Sequence, residues 1–461
     1  MMNKISLRKH RYVGLVLTFV LLAGCGKEWL NHKNELSLIV PQTLADLRML
    51  LNNTATLTPS SNTIMEASAD NYYVPDAILY ARSETNVNTY LWKERIFTTG
   101  NISEYGSPYL RIATANIVLE SLEKIAVTPQ NRAEWEDIKG GALFFRAKNH
   151  FDLVQLFAAP YHPAIASESP GIPLRVNSSL TDPIIRATVE ETYTQIVRDF
   201  TEAADLLSVT NRYKVNPTKP AATSFLARVY LSMRDYANAY RYAKETLALY
   251  DTLLDYNHID SNAAVPFSAF NEETIYYVSM SVTPPSIMNF ACIDTNLYQS
   301  FTEIDLRKAL FFRGNADGTF SFKGNYTASS RQLFAGTTTA EMLLVYAECA
   351  ARMGDKSDAV VSLNHFLSHR YLADKFSPLI DEQYTSDDIL RIILVERRKE
   401  LMFRGLRWMD LRRLNLESEH QTTLHRYSND MLYTLEPNSP RYIFPFSDDI
   451  ITSTGMPQNE R

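Results

Sequence analysis

The chain has 461 residues but only three cysteines, and it has no basic cluster. So few cysteines cannot build a disulfide scaffold. A formal net charge of −6 with scattered cations argues against nucleic acid, whose phosphates need a concentrated basic face. Motifs that would announce chemistry are missing as well. There is no His-Glu-x-x-His zinc pair, no phosphate-cradling Gly-x-x-x-x-Gly-Lys, no dinucleotide glycine loop and no Gly-x-Ser-x-Gly serine elbow. EF-hand spacing is absent, so Asp294, Asp305 and Asp317 are loop acids without a calcium pattern. His365 and His369 stand four apart on a helix, but no third or fourth zinc ligand lies near them in sequence, and they read as a solvated face. No cofactor is expected. The apolar run from Tyr12 to Leu22 is too short to span a bilayer.

That run has another use. Lys4, Arg8, Lys9 and Arg11 precede it, and Leu22-Ala23-Gly24-Cys25 follows it. A basic start, a short apolar core and small residues before a cut site describe a secretory signal over residues 1–24. A cysteine directly after Ala-Gly is similar to a bacterial lipobox. Cleavage there and acylation of Cys25 would anchor the mature chain to a membrane. Gly26-Lys27-Glu28 resembles a short charged export tag of surface lipoproteins. Losing four cations and no acid makes the mature chain more acidic still. Cys292 and Cys349 remain; a bridge between them and two free thiols, with Cys349 buried on an apolar helical face, are both open.

The body reads as helical hairpins. Apolar periodicity predicts helices over Leu44–Leu51, Ser107–Lys124, Glu134–Phe157 and Val189–Leu207. Thr188 and Glu191 form a capping box before the last of these. Asn116 falls among packing positions, so its amide needs partners. Thr223 to Leu249 reads as a hairpin turning at Met233-Arg234-Asp235. Ala227, Met233, Asp235 and Ala239 recur as Ala347, Met353, Asp355 and Ala359, all 120 residues on. Alanines at crossing points allow close helix packing, as in tetratricopeptide hairpins. Between the hairpins, 265–334 has little helical period, and Asp317-Gly318 flanked by phenylalanines signals a β-turn.

The most distinctive stretch runs from Glu396 to Leu414. It ends a helix starting near Ser386, read as the N-cap, with Asp387 and Asp388 in the first turn. Gly405 is a natural stop, and Trp408–Leu414 is a second short helix. Glu396 and Glu400 are spaced as a glycosidase couple would allow. Arginines crowd both acids, however, and would lower both pKa values where such catalysis needs one raised. The expectation is a charge-assisted staple in which Arg407, Arg412 and Arg413 fold back onto Glu396 and Glu400. No catalytic and no metal-binding residue is assigned.

The run Glu396-Arg397-Arg398-Lys399-Glu400-Leu401-Met402-Phe403-Arg404-Gly405-Leu406-Arg407-Trp408-Met409-Asp410-Leu411-Arg412-Arg413 resembles the signature of SusD/RagB-like outer-membrane nutrient-binding lipoproteins. Arg404 stands where that family usually has an acid. Tyr109-Leu110-Arg111-Ile112-Ala113-Thr114-Ala115-Asn116, Arg146-Ala147 with Asp152-Leu153, Gly171-Ile172-Pro173-Leu174, Tyr442-Ile443-Phe444-Pro445 and Pro457-Gln458-Asn459 resemble further family elements in order. The resemblance implies a mostly α fold of tetratricopeptide-like hairpins packed against a loop-rich, irregular half. It implies one domain over 25–461, with an N-terminal part to about 215 and a C-terminal part from about 216. It also implies an outer-membrane lipoprotein at the cell surface that captures oligosaccharides for a SusC-like TonB-dependent transporter. Alternatives are a RagB-like peptide binder and a structural tetratricopeptide scaffold. The implied ligand surface is built from loops. Tyr and Trp stack on sugar faces while polar side chains hold hydroxyls. Trp92, Tyr72 and Tyr73 are the expected platform, Asp70 and Asn71 the expected polar partners, and Tyr298 lies in a third such loop. The other reading is that Trp92 and the tyrosines plug the top of the helical layer.

Overall fold

The computed structural model describes residues 41–59, 63–97, 100, 102–179, 181–281, 287–329 and 332–461. The signal segment, Cys25 and the Gly26-Lys27-Glu28 tag lie outside the described residues. The unit Leu44–Arg461 is mostly helical. Its helices of eight residues or more are α1 (Leu44–Leu51), α2 (Ser103–Leu122), α3 (Arg132–Phe157), α4 (Val189–Leu206), α5 (Lys219–Met233), α6 (Tyr236–Leu249), α7 (Thr339–Arg352), α8 (Lys356–Ser368), α9 (Ser386–Glu400) and α10 (Arg407–Leu414). From α2 to α8 each helix packs on the next, and α9 closes the array against α7 and α8. The direct packing of α4 on α5 carries the array across residue 215.

Local chemistry explains the helix bounds. Thr188 accepts from the Glu191 backbone while Glu191 reaches back to Thr188, so α4 starts where the capping box places it. For α9 the cap is Thr385, not Ser386: its hydroxyl accepts from the Asp388 N–H, and Asp388 returns the bond. The same helix closes at Glu400, earlier than the expected stop. Phe403 and Gly405 both adopt positive φ in the turn that follows. The α2 helix begins earlier than its periodicity suggested, at Ser103, and α3 at Arg132. The α3 helix is buried on nearly every face from Gly140 to Phe157, which makes it the central rod of the fold. At Gly140 an added Cβ would sit 2.8 Å from Leu207 Cγ, so α4 approaches α3 as closely as a glycine permits.

The internal repeat is structural. α5–α6 and α7–α8 are two matched hairpins, and Ala227, Ala239, Ala347 and Ala359 are all fully buried. The match extends to their caps. Thr218 and Thr338 cap the first helices, and Asp235 and Asp355 cap the second. Each pair of helices turns through one left-handed residue, Arg234 in the first and Gly354 in the second. The two hairpins are tied together by Arg228 of α5 gripping Glu341 of α7 at 2.8 and 2.6 Å. Tyr240 stacks on Tyr346, and both hydroxyls donate to Asp358.

The β structure consists of two-stranded antiparallel pairs. The strands are β1 (Tyr72–Tyr73), β2 (Pro170–Pro173), β3 (Arg186–Thr188), β4 (Thr274–Tyr276), β5 (Ser279–Ser281), β6 (Cys292–Ile293), β7 (Phe312–Gly314), β8 (Phe320–Phe322), β9 (Gln332–Phe334), β10 (Thr337–Thr338), β11 (Leu424–Ser428) and β12 (Met431–Leu435). β7 and β8 form the hairpin that Asp317-Gly318 signals. Gly318 has positive φ, and Asp317 accepts from the Thr319 N–H. Cys292 and Cys349 are both free and buried. Among the described residues no helix is long and apolar enough to cross a membrane.

Gly336, between β9 and β10, is hemmed in by the Tyr276 carbonyl oxygen and the Phe334 ring, which an added Cβ would overlap. Backbone cannot yield as a flexible side chain can. Gly336→Ala is expected to lower stability by about 2 kcal/mol or more in urea unfolding; a midpoint equal to that of the parent protein would refute the close approach.

Candidate ligand-binding surface

Strand pairing joins two of the three loops singled out from sequence. β1 pairs with β6, Tyr72 opposite Ile293 and Tyr73 opposite Cys292. The Asp294 N–H donates to the Asn71 carbonyl at 3.0 Å. The Asp70–Tyr73 segment therefore lies alongside the segment that leads to Tyr298.

Their side chains divide sharply between inside and outside. Trp92 is 1% exposed, and its indole N–H donates to the Ser68 carbonyl at 2.9 Å. Tyr72 is 3% exposed and donates to the Ala67 carbonyl. Tyr72, Tyr90 and Trp92 surround the guanidinium of Arg426, which lies 3.7 Å from the Tyr90 centroid and 4.5 Å from that of Trp92. The expected stacking platform is thus largely an aromatic box filled by the protein's own arginine. Neither Trp92 nor Tyr72 has a ring face to offer a ligand. Asn71 is fully buried, with its amide N–H donated to Glu66. Asp70 is held by Arg407 through two hydrogen bonds of 2.7 and 2.9 Å and by Arg398 at 3.1 Å. Burial pushes its carboxyl up, but the two arginines outweigh that and hold it far below the usual carboxylate range. Asp70 and Asn71 are posts of the loop rather than hydroxyl holders.

Tyr73 alone of the expected platform faces out, at 37% exposure. Burial and the nearby Cys292, Asp317 and Asp294 raise its pKa. Phe290 is also exposed, just ahead of β6, and the Arg82 guanidinium lies 4.6 Å over its ring. Tyr298 is half-buried, with one face stacked 3.7 Å from Phe320. Below Tyr73, the Cys292 thiol meets the Thr319 hydroxyl at 3.7 Å. Tyr73 on β1 and Phe290 just ahead of β6 are thus the exposed rings of this strand pair, with Asp294 directly after β6 and Arg82 over Phe290. Phe290 and Arg82 escaped the sequence reading. Apolar spacing cannot tell an exposed phenylalanine from a core one, and the arginine above it comes from some 200 residues away.

The acids of α9 are held by partners other than those expected. Glu396 is bound by Arg307, by Lys399 at 2.9 Å and by the Tyr371 hydroxyl at 3.3 Å. Glu400 is bound by Arg370 at 3.0 and 3.1 Å and approached by Arg307 at 3.5 Å and Arg404 at 3.9 Å. Arg407 grips Asp70, and Arg413 grips Glu348 and Asp410. Arg412 donates to the carbonyls of Gln155 and Ala158. Arg404, in place of an acid, lies 4.4 Å over the Tyr326 ring and donates to Thr338. Burial pushes the Glu400 carboxyl up, yet Arg370 and Arg307 prevail and lower its pKa. Among the described residues no cluster of His, Cys, Asp and Glu could hold a metal ion.

Burial likewise pushes Glu348 up, and Arg413 and Arg352 outweigh it, holding its pKa at about 2 against an ordinary 4.5. A depressed carboxylate stabilises the fold above its unfolded pKa and loses that contribution as pH falls through its folded one. Stability should therefore drop between about pH 4.5 and pH 2 in calorimetry. Arg413→Ala, which leaves Glu348 buried with only Arg352, should cost about 3–5 kcal/mol at pH 7 and flatten that acid limb. An unchanged limb would refute the assignment.

Residues 28–231 match a SusD-like family model described as starch-binding and associating with the outer membrane, and residues 325–455 match the SusD family model. SusD-like protein P2 of Formosa agariphila is 24% identical over 371 residues, covering 68% of this chain and 71% of that protein. Among solved structures, a SusD superfamily protein of Bacteroides thetaiotaomicron superposes with a TM-score of 0.74 at 20% identity, covering 91% of this chain and all of that one. Surface glycan-binding protein A of Bacteroides uniformis superposes with a TM-score of 0.69 at 17% identity, covering 90% of this chain and 98% of the other.

Proposed function

The chain belongs to the SusD family, and from that premise we propose that it is a cell-surface lipoprotein that captures oligosaccharides. It delivers them to a SusC-like TonB-dependent transporter in the outer membrane. Capture, not catalysis, is the task, since the transporter moves the ligand inward. The lipid on Cys25 holds the chain at the membrane.

One observation carries the glycan reading: Tyr73 and Phe290, on and just ahead of the β1–β6 pair, present solvent-facing rings, and the acids Asp294 and Asp317 lie near Tyr73. A sugar ring has an apolar face and a rim of hydroxyls, and this arrangement offers a partner to each. The β1–β6 pairing and the Asp70 ion pairs hold the surface before a ligand arrives, which lowers the ordering cost of binding.

The test is native gel retardation across a panel of polysaccharides, with peptide-digest binding alongside. Tyr73→Ala and Phe290→Ala are each expected to weaken retardation by a glycan about tenfold, roughly 1.4 kcal/mol, without lowering the melting temperature. Trp92→Ala is expected to unfold or destabilise the protein by about 3–5 kcal/mol, because its ring is core. Peptides bound in place of glycans would turn the reading to a RagB-like binder. Silence toward both would favour a structural scaffold. Separately, Cys25→Ala should abolish fatty-acid labelling and release the protein from the membrane fraction; labelling that persists would sink the lipid anchor.

A further inference from the structure

One cavity shares no lining residue with the Tyr73 surface. Its volume is about 620 Å³, and it is walled by the end of α3, the end of α10 and the C-terminal tail. Part of the wall is aliphatic, from Ala159, Pro160, Ile165, Leu416, Pro440 and Ile443, and the rest is largely polar. The aromatic rings there are His162 and Tyr442, and the Tyr442 ring is already packed 4.6 Å from Trp408. A sugar would find little to stack on.

Two cations line this cavity, and among the described residues neither has a counter-ion. Arg186 donates to the carbonyls of Gly171, Phe157 and Pro170 and to the Asn459 side chain, and Phe446 lies under it. Arg412, 3% exposed, donates to the Gln155 and Ala158 carbonyls and to the Gln155 side chain. Neither makes an ion pair among the described residues, whereas Arg307, Arg370 and Arg413 each bind two acids or more. The Arg412 Nε is itself buried without a protein hydrogen bond. The one acid on the lining, Glu460, is exposed at the rim. A chamber with an aliphatic side and with guanidinium groups free of ion pairs in its wall complements an anion with an aliphatic body.

We propose that this cavity is a second ligand site, separate from the glycan surface, for an organic carboxylate with an aliphatic body. The carboxylate sits toward Arg186 and Arg412, and the body lies along Ile165, Pro440 and Ile443. Such a group comes from a free aliphatic acid or from the C-terminus of a short apolar peptide.

Calorimetric titration with sodium decanoate, its neutral amide and N-acetyl-Leu-Leu separates the cases. Decanoate or the peptide acid should bind at least about tenfold more tightly than the amide. Binding of the carboxylate should weaken about tenfold in Arg186→Gln and stay within about threefold in Arg186→Lys. Ile165→Trp places bulk at a half-exposed rim position, where folding tolerates it, and should abolish binding while leaving glycan retardation intact. Decanoate alone binding names an aliphatic acid; the dipeptide alone names a peptide terminus. Equal affinity for decanoate and decanamide, binding that survives Ile165→Trp, or no heat with either carboxylate would overturn the site.

Discussion

A carboxylate inside a protein stays charged only if a cation reaches it, and much of this fold is arranged around that requirement. Glu396, Glu400, Asp305, Glu273 and Glu348 are all buried. Their arginines come from several segments: Arg307 from the helix before the β7–β8 hairpin, Arg370 from the segment after α8, Arg413 from α10. Removing any one strands an ion in a low-dielectric interior, so these contacts specify which segments meet more than they add net stability. The same logic reaches the ligand surface. Arg398 and Arg407, near the end of α9 and at the start of α10, hold Asp70 and with it the loop that carries Tyr73. The helical scaffold thus positions the loop through ion pairs rather than through apolar packing alone.

How far this was legible from sequence depends on how local the cause is. Helix capping is local: Thr188 and Glu191 are three residues apart, and their reciprocal bonds follow from that spacing. The repeat is legible for a related reason. Alanines and turn residues recur at fixed spacing because two hairpins solve the same packing problem, and Thr218 with Thr338 extends the pattern to the caps. The family signature carried the architecture of the C-terminal half. Much of the ion pairing is not local. Arg307 and Glu396 are 89 residues apart, and no periodicity marks Arg307 as a partner. Arg407, Arg412 and Arg413, in the helix that follows, were the expected partners, yet each faces a different acid or carbonyl once α10 turns after Gly405.

The ligand loops show the same limit from the side of burial. Asp70, Asn71, Tyr72, Tyr73 and Trp92 have the composition of a sugar site, but composition does not say which ring faces water. In a two-residue strand alternate side chains must point to opposite faces. One tyrosine of the Tyr72-Tyr73 pair therefore goes in and the other goes out. Arg426, more than 330 residues away, decides the inward set by filling the box of Tyr72, Tyr90 and Trp92. Sequence could locate the loop but not assign its faces.

That division bears on how one scaffold serves different ligands. Tyr72 and Trp92 are tied to Arg426, Asn71 to Glu66, and Asp70 to two arginines, so changing any of them disturbs the core. Tyr73, Arg82, Phe290 and the β7–β8 turn touch the core far less, and the surface they present can change at little cost to folding. Ligand choice in such an architecture is set by a thin exposed layer on a loop whose underside is fixed by buried charge. The cavity behind the C-terminal tail follows the opposite rule. Its charge is carried by Arg186 and Arg412, which are themselves held by backbone carbonyls, so its preference is built into the scaffold rather than laid over it. The two places should therefore vary independently: the outer surface with the ligand, the inner one only with the fold.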